Sequence, residues 1–166
     1  MKLLPIFSWA VVIWVAKVFL PSLPYKFTLH PDTQHIFGTI GLWMQSFLGE
    51  TIGSLFANYG SYAVGSVELI TSLVLLSPIV FWILKKIGVL SCAPSRALVH
   101  AVGGLMASGV MAGAAFFHLF TPLGIEVIHN GKSDGGSLFF AAVSILILGL
   151  ILFVANYRSY KHKVNQ

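Results

Sequence analysis

Lys17, Glu68 and His118 lie within apolar runs. An ionisable group there costs about 2.5–3.5 kcal/mol to insert, and so usually faces a partner or a cavity. Together they form a small acid–base set. A carboxylate can accept a proton, an imidazole can donate or accept a hydrogen bond, and an ammonium group keeps a carboxylate ionised. At a rise of ~1.5 Å per residue, all three fall in the outer third of their runs. Lys26, just past the first run, is a second candidate cation for Glu68. These four residues therefore point to a buried polar site that handles a ligand or a proton. Plainer roles stand beside that one. Lys17 is close enough to the interface to snorkel, His118 can bond a backbone carbonyl, and Glu68 can be the acid of a structural salt bridge to Lys17 or Lys26.

Other chemistry has little support in the sequence. His30 and His35 are five residues apart, which on a helix places them on different faces, and nothing in their spacing to Glu68 or His118 demands a metal. No metal site is expected. There is no haem-attachment motif, P-loop, dinucleotide fingerprint or Gly-x-Ser-x-Gly elbow. Cys92 is the only cysteine, so neither an internal disulfide nor a CxxC redox pair can form.

The elements that position the polar set follow from composition. Of 166 residues, 57% are hydrophobic and 9% are charged. A soluble domain carries roughly 25% charge, so this chain cannot cover itself with polar side chains. The expected fold is an all-α membrane protein, a four-helix transmembrane bundle forming one domain over residues 1–166. Its spans are expected at about 3–20, 61–84, 97–120 and 137–157, each near the ~20 residues that cross a bilayer. All five acids (Asp32, Glu50, Glu68, Glu126 and Asp134) fall in, or at the edge of, the stretches that follow the first and third runs, while Lys2, Lys85, Lys86, Arg96, Arg158, Lys161 and Lys163 occupy the complementary segments. Basic residues accumulate on the cytoplasmic side, which places both termini there. The positive residues cluster at membrane edges, so the partner is the lipid bilayer and not nucleic acid.

Residues 21–60 are too polar to span and too apolar for a solvated loop. Pro21-Ser-Leu-Pro24 is expected to stop the first helix. Pro31-Asp32-Thr33 reads as a helix start, with Asp32 or Thr33 as cap. Ile36, Ile40, Trp43 or Met44, and Phe47 recur at helical spacing, and Gly49 and Gly53 interrupt them. One or two short interfacial helices on the outer face are expected, with His30, His35 and Trp43 in a possible cap over the site. In the third span, Gly104-x-x-x-Ser108 and Gly109-x-x-x-Gly113 put small groups at helix-packing spacing. They could serve packing within the chain, contact with another membrane protein, or a homo-oligomer.

Leu23-Pro24-Tyr25-Lys26-Phe27, Gly65-Ser66-Val67-Glu68-Leu69-Ile70 and the small-residue run from Gly109 to His118 together resemble the DoxX-like family of small four-helix integral membrane proteins. That resemblance implies a bacterial cytoplasmic (inner) membrane location. Relatives of this kind include the small subunit of a thiosulfate:quinone oxidoreductase, companions of oxidative-stress proteins and a distant animal factor in receptor assembly. A quinone is therefore a possible ligand, and an accessory subunit a better expectation than an independent enzyme. The long 28–60 segment and His118-Leu-Phe-Thr-Pro-Leu-Gly124 depart from the shortest members. An assembly partner or, less readily, a small transporter are the alternative expectations.

Overall fold

The computed structural model describes residues 3–165. In chain order these form α1 (Leu3–Phe27), α2 (Pro31–Leu48), α3 (Glu50–Lys86), α4 (Arg96–Phe120), the short strands β1 (Ile128–His129) and β2 (Lys132–Ser133), and α5 (Ser137–Val164). Helices α1, α3, α4 and α5 are each long and apolar enough to cross a membrane. Most of that apolar surface points outward. In α5, the most hydropathic of the four, only 22% of the apolar window is buried. Apolar area on this scale needs a lipid solvent, which suggests an integral membrane protein.

The core is where the four long helices meet, around Val12, Val15, Phe19, Leu75, Met111, Ile145 and Leu152. At one end of the bundle the Asn156 amide donates to Ser8 Oγ at 3.0 Å. Nearby, Trp9 packs edge-on to the fully buried His100, with ring centroids 4.8 Å apart. These contacts bring the start of α1, the start of α4 and the end of α5 to the same end. Helices α4 and α5 approach closely because glycine and serine line their seam. A Cβ added at Gly104 would come within 2.7 Å of the Gly149 carbonyl oxygen, and the Ser108 hydroxyl donates to the Leu146 carbonyl at 3.0 Å.

Several boundaries differ from expectation, each for a local reason. Helix α1 does not stop at Pro21 but runs through Pro21 and Pro24 to Phe27. Each proline removes one ladder bond, yet unwinding the end of the helix would free many more backbone groups. The 21–60 segment is not a pair of short glycine-separated helices. The segment is broken at Thr28–His30, between α1 and α2, and again at Gly49 (φ +86°), and the residues from Glu50 onward belong to the 37-residue α3. Gly53 does not interrupt the helix. It lets α2 pack closely, since a Cβ on the facing Gly41 would meet the Gly53 carbonyl and Ala57 at 2.7 Å. Helix α2 therefore lies antiparallel along the opening turns of α3. Its N-cap is His30, not Asp32 or Thr33, and His30 Nδ1 accepts from the Asp32 N–H at 3.3 Å. Pro78 leaves the Val74 carbonyl without its usual donor, and the Ser77 hydroxyl fills that place at 2.8 Å.

Candidate functional site

Continuation of α1 past its prolines decides the site, because it carries Lys26 alongside α3. Lys26 Nζ lies 2.7 Å from Glu68 Oε2, with side chains only 16% and 4% exposed. Ser22, one turn before Lys26, completes the cluster: Lys26 donates to Ser22 Oγ at 2.8 Å. The single Ser22 proton has two acceptors in reach, the Phe19 carbonyl at 2.7 Å and Glu68 Oε2 at 2.9 Å. Charge-assisted bonds of this length offset the desolvation of an ion pair that has left water. Both donors converge on Oε2. Oε1 has no hydrogen-bond partner among the described residues and is not fully buried. One carboxylate oxygen thus remains free to accept.

The pair forms part of the wall of a cavity of about 750 Å³ bounded by all five helices. Val18 and Pro21 of α1, Ile36 and Ile40 of α2, Val64 and Val67 of α3, Val110 and Phe117 of α4, and Ala141 and Ala142 of α5 make most of its lining apolar. Polar groups enter at few points: Ser22, Tyr25, Lys26, Glu68, His118, Asp32 and Thr33. Clefts of roughly 300–1,000 Å³ with apolar walls and few polar groups are typical of small-molecule sites.

Of the four residues expected to converge, Lys26, Glu68 and His118 line this one cavity. Lys17 does not. It is exposed, and at 3.6 residues per turn it points about half a turn away from Lys26. His118 is buried and makes its bond elsewhere: Nδ1 lies 2.7 Å from the Gly124 carbonyl oxygen. A carbonyl only accepts, so Nδ1 carries the proton, and in the neutral ring Nε2 is left as an acceptor. Gly124 has φ +74°, which turns its carbonyl back toward the end of α4.

The small residues of α4 divide by role. Gly104 and Ser108 form the α5 seam, as expected. Gly109 and Gly113 do not pack against a helix: a Cβ added at either meets nothing within 4 Å, and both line the cavity. The earlier pair faces α5 while the later pair opens onto the cavity, although the spacing within each pair is the same.

Helix α2 covers the outer end of the cavity, and Ile40 packs with Leu123 and Val127 to hold it there. Trp43 is outside the cavity and packs on Phe47 and Phe116. His30 and His35 sit at the rim. Asp32 Oδ1 lies 2.7 Å from His129 Nδ1, and His35 stacks on the His129 ring at 4.6 Å. The hydrogen bond to His129 holds the Asp32 carboxyl below its ordinary value; burial opposes it, and the nearby charges of His30, His129 and His35 add to the lowering. His129 is delivered by the β-hairpin of β1 and β2. Its Asn130-Gly131 turn, with φ of +52° and +72°, is the sequence signal that marks it. Asp134 fixes the hairpin to α5 by accepting from the N–H groups of Val127, Gly136 and Leu138 at 2.8–3.0 Å. Burial pushes its carboxyl up, but those bonds outweigh burial and leave it lowered. Among the described residues, no group of three or more His, Cys, Asp or Glu is arranged to hold a metal ion.

Ser22 is the site residue that sequence reasoning missed. Its position four residues before Lys26 was the available signal, but it matters only if α1 continues through Pro21.

No family model, curated protein or solved structure matches this chain.

Proposed function

We propose that the chain is a DoxX-like integral membrane protein that binds a quinone-like or other small amphiphile in its outer cavity. It acts as an accessory membrane subunit and not as an independent enzyme. The observation that carries this reading is the buried Lys26–Glu68 pair in the wall of an apolar cavity of about 750 Å³. A carbonyl on the head would accept from Lys26, whereas a hydroxyl on it would donate to Glu68 Oε1 or to His118 Nε2. Both termini face the cytoplasm, and the membrane is the bacterial inner membrane. Support comes from the charge distribution: Asp32, Glu126 and Asp134 cluster at the α2 end of the bundle, while Lys85, Lys86, Arg158 and Lys161 lie at the other.

Native mass spectrometry of gently extracted protein tests this. A neutral small-molecule adduct is expected on the wild type and absent from the folded fraction of Glu68→Gln, scored per folded molecule. An adduct-free wild type, or an adduct kept by folded Glu68→Gln, would reduce Glu68 to a structural role.

A further inference from the structure

Helices α3 and α4 touch at two levels and part between them. On the inner side, Leu75 fills the space beside Gly103, where a Cβ would come within 2.7 Å of its Cγ. On the outer side, Phe56 meets Phe117 at 5.3 Å between ring centroids. Between these closures the facing residues are small, namely Ala63 on α3 and Gly109 and Gly113 on α4, with Val67 at the edge. Ala63, Val67 and Gly109 are exposed although they also line the cavity. The cavity therefore reaches the outer surface of the bundle at this gap. Ile70 and Leu105, 51% and 49% exposed, continue the same apolar surface below the gap.

We propose that the cavity is loaded sideways from the bilayer, and that its ligand has a neutral head bearing a hydroxyl or carbonyl and a single apolar chain leaving over Gly109 and Gly113. This rests on the ligand-binding reading above and adds the route and the chemical class. The neutral head follows from the pair itself. Lys26 and Glu68 already cancel each other, so a charged head would bring an uncompensated charge into an apolar site. The chain follows from the gap, which has no side chain to close it and opens onto surface suited to hydrocarbon. The competing entrance, by Pro21, Tyr25 and Leu138, lies beside the Asp32–His129 bond and has a polar rim. An isoprenoid quinone and a monoacylglycerol share the required chemistry.

The test uses the full chain in lipid nanodiscs and a monoacylglycerol with a diazirine at the end of its acyl chain. Photolabel is expected on the stretches of α3 and α4 around Ala63, Val67, Gly109 and Gly113. It should fall at least about tenfold in Gly113→Leu at unchanged thermal stability. Gly109→Leu replaces that variant if it fails to fold, and the wild-type label map decides without either. Competition by decylubiquinone identifies a quinone source and competition by monoolein alone an acylglycerol source; competition by neither overturns the proposal. Stronger competition by dodecyl phosphate overturns the neutral head. Label around Pro21, Tyr25 and Leu138 overturns the lateral route and leaves the binding site standing. No cavity label at all removes both.

Discussion

Glu68 on α3 receives Lys26 from α1 at 2.7 Å, two residues beyond the second of two prolines that α1 passes through. The pair therefore reports directly on whether the end of α1 is intact. Removing one partner of a buried ion pair costs about 3–5 kcal/mol, because the other charge is left uncompensated. Lys26→Met and Glu68→Leu are each expected to lower thermal stability on that scale, and the double variant to recover most of it. Differential scanning fluorimetry in detergent checks this. If the double variant is stable yet retains no ligand, the pair serves binding; a double variant no better than either single one would argue against the pairing.

The two halves of the α4 small-residue run should respond in opposite ways. Gly104→Ala forces a methyl group against the Gly149 carbonyl, and overpacking of this kind costs about 1–3 kcal/mol. Gly109→Ala meets nothing within 4 Å, so it should be neutral or stabilise by up to about 1 kcal/mol, the helix preference of Ala over Gly. Melting curves of the two variants decide. Equal destabilisation would mean that Gly109 packs against something.

Acid should loosen the rim where α2 begins. The Asp32 carboxyl is held below its ordinary value of 3.8, so its contribution is fully present above that value and lost as pH falls through the lowered one. Hydrogen exchange at residues 31–36 should be slow at neutral pH and accelerate below about 3.8, once corrected for the intrinsic rate. Asp32→Asn should flatten that response. An unchanged acid profile in Asp32→Asn would assign the opening to another group.

Close approach of α2 to α3 depends on Gly41, where a Cβ would meet Ala57 and the Gly53 carbonyl at 2.7 Å. Gly41→Leu is expected to separate the hairpin and uncover the cavity while the four long helices stay intact. Cysteine accessibility at Ile36→Cys in a Cys92→Ser background reads this out: labelling by a maleimide should rise several-fold, at constant helical circular dichroism. No change in labelling would show that α2 is held mainly by its contacts with Leu123 and Val127.

The sequence by itself determined the number of long apolar helices and the identity of the buried carboxylate. Hydropathy and charge add up along a local stretch and need no neighbours to be read. Glu68 and His118 were equally legible, because an ionisable group in an apolar run is conspicuous wherever the helix later turns. Tertiary structure alone decided which cation reaches Glu68. Lys17 and Lys26 differ by about half a turn of α1, and Lys26 arrives only because the packed helix outlasts its two prolines. It also separated Gly104 and Ser108, which form a seam, from Gly109 and Gly113, which leave a gap. Identical spacing within a helix says nothing about which neighbour a face will meet, and that is set by the rotation and tilt of the helices packed around it.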